Sequence, residues 1–159
     1  LLVDLLLVRR LPAWHHNVGK RLVKSPKVLI RDSGIVHALL RIGDREQLLG
    51  HPVVGASWEA LVIESLIMAA PRSAEASFYR TSTGNEIDLL LMLPGGRLWA
   101  IEIKRSSSPK LERGFHLACA DLNPARKFVV YPGRERFPLG PELEAISLPA
   151  LAQELAGVR

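Results

Sequence analysis

Glu86-Ile87-Asp88-Leu89-Leu90-Leu91-Met92-Leu93-Pro94-Gly95-Gly96-Arg97-Leu98-Trp99-Ala100-Ile101-Glu102-Ile103-Lys104 is the stretch whose reading decides the fold. Two apolar runs, each too short for a typical helix, are joined by Pro-Gly-Gly. That pattern predicts strands over Glu86–Leu93 and Arg97–Lys104, folded back as a hairpin. Side chains alternate along a strand. Asp88 therefore shares a face with Leu90 and Met92, while Glu102 and Lys104 share one opposite to Trp99, Ile101 and Ile103. An unpaired carboxylate among apolar neighbours costs several kcal/mol, and two of them at the ends of adjacent strands repel each other. A divalent cation with oxygen ligands compensates both penalties. Lys104 then stands close to any water that the cation holds. It is suited to orient that water, help deprotonate it, or stabilise charge building on a phosphate. The competing reading of Glu-x-Lys on a strand is a solvated edge.

Working outward, Ala76–Thr81 is a third strand candidate, and Ala56–Ala70 is the strongest helix, free of Gly and Pro and stopped by Pro71. At 100° per residue, the gap without large apolar side chains holds Ala60 and Glu64, so Glu64 is expected in solvent. Glu59 falls between Ile63 and Leu66, inside the apolar arc. It serves either a site or, half exposed at the helix start, the helix dipole. Beyond the hairpin, Ser106–Pro109 breaks the chain, and a helix over Lys110–Leu122 closes at Asn123-Pro124. A strand over Lys127–Tyr131, a charged loop, a last strand over Leu143–Leu148 and a helix over Leu151–Ala156 follow. On the other side, Leu1–Leu11 reads as the end of an apolar helix halted by Pro12, and Ala13–Pro26 as irregular. Lys27–Arg31 reads as a short strand, Asp32-Ser33 as the cap of a helix over Gly34–Arg41, and Gly43–Gly55 as a loop. The sum is an α/β fold: a helix, a three-stranded antiparallel meander, a crossover helix and a further strand.

A chain of 159 residues, 48% hydrophobic and 23% charged, is the size of one domain with a small appendage. The lone Cys119 has no partner for an internal disulfide and reads as a packed thiol in a reducing compartment. No apolar stretch reaches the roughly 20 residues that span a bilayer. Leu1–Val8 carries Asp4 and lacks the flanks of a signal peptide. The expectation is a cytoplasmic protein with no membrane partner, and a start without Met reads as a piece of a larger chain. Residues 1–50 hold nine Lys/Arg against four Asp/Glu, whereas residues 51–159 hold twelve of each. The net charge of +5 therefore belongs to the N-terminal segment. Arg9 to Lys27 includes six cations and no acid, a field that favours a polyanion such as DNA; the plain alternative is a solvated basic loop. The division expected is a basic segment, 1–50, and a main domain, 51–159.

Asp88, thirteen residues, then Glu102-Ile103-Lys104 resembles the signature of PD-(D/E)XK nucleases, with Ile87 where the name-giving proline stands. The likeness extends to Trp14–Lys27, Arg31-Asp32-Ser33-Gly34, Gly55-Ala56-Ser57-Trp58-Glu59, Tyr79-Arg80-Thr81, Glu86-Ile87-Asp88 and Ile101–Ser106. Over nearly its whole length the chain is similar to the C-terminal domain of unknown function of a family of prokaryotic AAA+-type ATPases. The resemblance implies a restriction-endonuclease-like core, an upstream ATPase as partner, and Glu59 as the glutamate carried before the meander. It implies Mg²⁺ or Mn²⁺ on Asp88, Glu102 and the Ile103 carbonyl, with Lys104 serving the water. Lys20, Arg21, Lys24 and Lys27 would hold the phosphate backbone of DNA. The function expected is metal-dependent hydrolysis of DNA; the alternative is a non-catalytic module that keeps the fold and binds nucleic acid or protein. Gly19-Lys20-Arg21 is not a P-loop, so no ATPase activity is expected. The histidines lack zinc spacing, and Ser106–Ser108 lacks a nucleophile elbow.

Overall fold

The computed structural model describes residues 1–15 and 19–158. His16, Asn17 and Val18, inside the stretch expected to be irregular, lie outside the described residues, as does Arg159. In chain order the elements are β1 (Val8–Leu11), β2 (Lys27–Ile30), α1 (Ser33–Leu39), α2 (Arg45–Gly50) and α3 (Val54–Ala69). Then come β3 (Glu75–Arg80), β4 (Glu86–Leu93), β5 (Arg97–Ile103), α4 (Arg113–Leu122), β6 (Arg126–Tyr131), β7 (Phe137–Gly140), β8 (Leu143–Ser147) and α5 (Leu148–Ala156).

The expected hairpin forms between β4 and β5, with Leu91 opposite Trp99. A 3-10 turn closes it, in which Gly95 and Gly96 take φ of 77° and 72°, a region where a Cβ is unwelcome. The main sheet runs β3-β4-β5-β6-β8-β7. Strands β3, β4 and β5 are antiparallel; β6 and β8 pair parallel to β5 and to each other, and β7 returns antiparallel. A parallel β5–β6 pair demands a crossover, and α4 supplies it.

Alternation along the strands sorts the core into two layers. On one face Leu89, Leu91, Leu93, Trp99, Ile101, Phe128 and Val130 pack with Val62, Ile63 and Leu66 of α3 and Leu151 and Leu155 of α5. On the other, Leu90, Leu98, Ala100 and Val129 pack with Phe115, Ala118 and Cys119 of α4. Cys119 is thus a core thiol, and burial pushes its pKa up to about 12. Among the described residues no helix is long and apolar enough to cross a membrane.

The structure corrects the N-terminal reading. Leu1–Leu11 is not the end of a helix: residues 2–6 form turns, and Val8–Leu11 pairs antiparallel with Lys27–Ile30. Leu11 drops into the main core, 1% exposed. Pairing with a strand distant in sequence overrides the local leucine signal. Residues 12–14 and 22–23 then lie beside β3, where the Phe78 amide donates to the Pro12 carbonyl at 3.0 Å and the Val23 amide to the Arg80 carbonyl at 2.9 Å. The open edge of β3 is thereby covered.

Three further differences have local causes. The expected loop Gly43–Gly55 contains α2, started by a capping box: the Gln47 amide donates to Asp44 Oδ1 at 2.8 Å, and the Gln47 side chain reaches back to the Gly43 amide at 2.9 Å. Strand β7 carries Pro138, tolerated because it lies on the sheet edge. Glu64 is not a solvated acid; it accepts from Arg9 at 3.0 Å and Arg31 at 2.6 Å and is 14% exposed, because the β1–β2 ribbon lies over that arc of α3.

Candidate functional site

The site begins at an irregularity in β4. Ser77 faces Leu90, but Tyr79 faces Ile87, so two steps on β3 meet three on β4. The extra residue is a bulge in the stretch that contains Asp88, a device that bends a strand and re-aims a side chain. Beyond the last β4–β5 partners, Leu89 and Ile101, the Asp88 Oδ2 accepts the Ile103 amide at 2.9 Å. The carboxylate therefore completes the ladder where a backbone carbonyl would otherwise do so. Glu102 sits on the face of Leu98 and Ala100, as alternation predicts, and is 8% exposed.

Asp88, Glu102, Ile103 and Lys104 line one cavity of about 250 Å³, with Glu59 from α3, Glu86 at the head of β4, and Glu112, Gly114 and Phe115 at the start of α4. Lys104 Nζ lies 3.0 Å from Glu102 Oε1 and 4.0 Å from the exposed Glu112. Its backbone is anchored by the Trp58 indole, which donates to the Lys104 carbonyl at 3.3 Å.

Lys27 enters from β2, with its Nζ 2.8 Å from Glu59, 2.9 Å from Glu86 and 3.6 Å from Asp88. Glu86 also accepts from Arg80 at 2.8 and 2.6 Å.

Burial pushes the Asp88 carboxyl up to about 6, with the Lys27 charge opposing and the Glu59 charge adding. Glu102 is pushed up to about 7 by burial and by the charge of Asp88, against its hydrogen bond to Lys104. For Lys27, burial acts downward, but Asp88 and Glu59 outweigh it and hold the ammonium above the ordinary range. For Lys104 too, burial acts downward and Glu102 outweighs it. Raised carboxylates bind more protons in the folded chain than in the unfolded one, so this pair lowers stability as pH rises from about 4 through 7. Thermal melts in chelator are expected to show a drop between pH 5 and pH 8 that disappears in an Asp88→Asn/Glu102→Gln double variant. An unchanged drop assigns it to other groups.

Two carboxylate oxygens of the cavity are open to a small hard cation. Glu102 Oε2 is buried without a hydrogen-bond partner, and Asp88 Oδ1 has Lys27 only at 3.6 Å. Two carboxylates suit Mg²⁺, which keeps several waters and uses one or two protein acids. Among the described residues no group of three or more His, Cys, Asp or Glu side chains is arranged to hold an ion; Lys27 engages Glu59 and Glu86 instead.

Of the residues singled out in the sequence, the structure brings Glu59, Asp88, Glu102, Ile103 and Lys104 together. The four cations separate. Lys27 points into the acid cluster, 14% exposed; Lys20 is tied to Asp121 at 2.6 Å; Arg21 and Lys24 do not join the cluster, and both are exposed. Two members of the site escape sequence reasoning, Glu86 and the inward Lys27. Glu86 carries a signal, since it lies two residues before Asp88 on one strand. Lys27 carries none, because only the packing of β2 brings it near.

Residues 1–46 match a domain of unknown function, DUF8612. An uncharacterized protein of Mycobacterium bovis is 44% identical over 146 residues, 91% of this chain and 32% of that protein. An uncharacterized protein of Mycobacterium tuberculosis matches to the same extent. The chain spans about a third of the length of these relatives. No solved structure matches. Residues 54–151, the whole six-stranded sheet with α3, α4 and the start of α5, match the domain of unknown function DUF4143, and the chain belongs to that family.

Proposed function

We propose that this domain is a Mg²⁺- or Mn²⁺-dependent phosphodiesterase acting on DNA, with a restriction-endonuclease-like core. The observation that carries the reading is the pair of half-buried Asp88 and buried Glu102, on adjacent strands and facing one cavity beside Lys104, with Glu102 Oε2 unpartnered. Asp88, Glu102 and the Ile103 carbonyl would hold the cation, which when bound supplies Lewis-acid stabilisation and a more acidic water. The chain's own residues do the rest. Asp88 braces the end of β5 through the Ile103 amide. Lys104, kept an ammonium by Glu102, suits orienting a water and neutralising charge on a phosphate more than taking a proton. Glu59 assists by holding Lys27. Of Lys20, Arg21, Lys24 and Lys27, the exposed Arg21 and Lys24 are the two that would meet a phosphate backbone.

The resemblance to ATPase-linked domains makes such a module the partner we propose. A second reading, a non-catalytic module binding nucleic acid or protein, is favoured by one observation: Lys27 already neutralises three of the acids. Labelled duplex, branched and single-stranded DNA incubated with the protein and Mg²⁺ or Mn²⁺ decides between them. Cleavage that stops on chelation is the expected result. Protein that binds neither ion in a calorimetric titration and cuts none of the three substrates is the module.

A further inference from the structure

The acid cluster divides into two halves, and each has its own lysine. Lys104 serves Glu102 alone among the buried acids, through Oε1, and leaves Oε2 unpartnered. Lys27 serves the other half, with Glu59 at 2.8 Å, Glu86 at 2.9 Å and Asp88 Oδ1 at 3.6 Å around one ammonium. A cation ringed by three carboxylates is the arrangement that an oxygen-ligated metal ion adopts. Lys27 is not a flexible surface chain that has wandered in. Its backbone pairs with Leu11, whose side chain is 1% exposed, and its Nζ lies 5.4 Å from the centre of the Phe78 ring. The ammonium is therefore built into the site.

Charge balance points the same way. Glu59, Glu86, Asp88, Glu102 and the exposed Glu112 bring five negative charges, and Lys27, Arg80 and Lys104 bring three positive ones. One divalent cation neutralises the surplus. A second one beside Glu59 and Glu86 would have to share their oxygens with Lys27, at like-charge repulsion inside a partly buried pocket.

We propose that Lys27 is a built-in substitute for a second cation, limiting the site to a single divalent ion held by Asp88 and Glu102. The assignment rests on the phosphodiesterase reading and adds its metal stoichiometry. It makes Lys27 a positioning residue: it orders Glu59, Glu86 and Asp88 Oδ1 while the ion occupies the side of Glu102.

The test is a Mn²⁺ titration of the whole chain at pH 8, with free Mn²⁺ read by electron paramagnetic resonance. The proteins are wild type, Lys27→Met, and Lys27→Met/Glu59→Gln. Wild type is expected to bind one Mn²⁺ per chain. Lys27→Met, which keeps the stem and removes the charge, is expected to bind two, with Mn²⁺ raising its melting temperature more than that of wild type. The double variant, lacking one freed carboxylate, is expected to bind the second ion at least tenfold more weakly. Two ions in wild type overturn the assignment, and that measurement needs no variant to fold. One ion in a folded Lys27→Met overturns it too. No ion in wild type but one in Lys27→Met makes Lys27 a blocker of the site, also against the assignment. No ion in either protein removes the metal site itself and, with it, the phosphodiesterase reading.

Discussion

Glu102→Gln is expected to lower metal-dependent cleavage on the order of a thousandfold and, at pH 8, to make the chain more stable. The two effects have one cause. Glu102 is 8% exposed, its Oε2 has no partner, and its pKa is held at about 7 by burial and by Asp88. Above that pH the folded chain carries a charge that the unfolded chain carries at lower cost. The penalty is on the order of 3 kcal/mol, since each tenfold change in proton affinity corresponds to about 1.4 kcal/mol. The amide keeps the shape and an acceptor for Lys104 but discards the charge. Melting in chelator should therefore rise by roughly 6–12 °C at pH 8 for a domain of this size. Near pH 5, where Glu102 is protonated in the folded chain, the difference should shrink towards zero. Cleavage and melting measured on the same preparations check both halves. A Glu102→Gln variant destabilised at pH 8 means that the carboxylate is satisfied in the apo protein, and the site loses its main argument.

Lys104→Ala is expected to separate binding from turnover. The carboxylates of Asp88 and Glu102 remain, so Mn²⁺ should still bind; the ammonium beside Glu102 is gone, so cleavage should fall on the order of a hundredfold. Removing a positive charge 3.0 Å from Glu102 also relieves repulsion toward the ion, so metal affinity should hold or rise. The indole contact to the Lys104 carbonyl uses the backbone and survives the change. Calorimetric metal titration beside the cleavage assay reads the two quantities apart. Turnover that is unchanged in Lys104→Ala and in Glu102→Gln would falsify the site, since the cleavage then belongs to another protein in the preparation.

Short-range rules suffice wherever the information lies within a few residues. They place the bounds of β4 correctly and those of β5 to within one residue, because Pro-Gly-Gly between two apolar runs admits few alternatives. The position of Glu102 opposite Trp99 and Ile101 follows from the two-residue period and holds in the packed sheet. The Asp32 cap is legible in the same way; the capping box of Asp44 and Gln47 is equally local, yet the Gly and Pro around it make the stretch read as a loop.

Other features belong to contacts between distant parts of the chain. Leu1–Leu11 looks helical because leucine favours helices, and only the partner strand at Lys27–Ile30 draws its end into a ribbon. That ribbon then decides the fate of α3's acids. Arg9 reaches Glu64 across 55 residues and Arg31 across 33, turning an expected surface acid into a half-buried ion-pair centre. It also carries Lys27 across 32 residues to Glu59. Basic residues counted along the chain therefore read as one field for phosphate, whereas the fold commits Lys27 to the carboxylates. Periodicity names the face on which a side chain lies. Which charge meets it there depends on the register of strands far apart in sequence, and burial then raises what that meeting is worth.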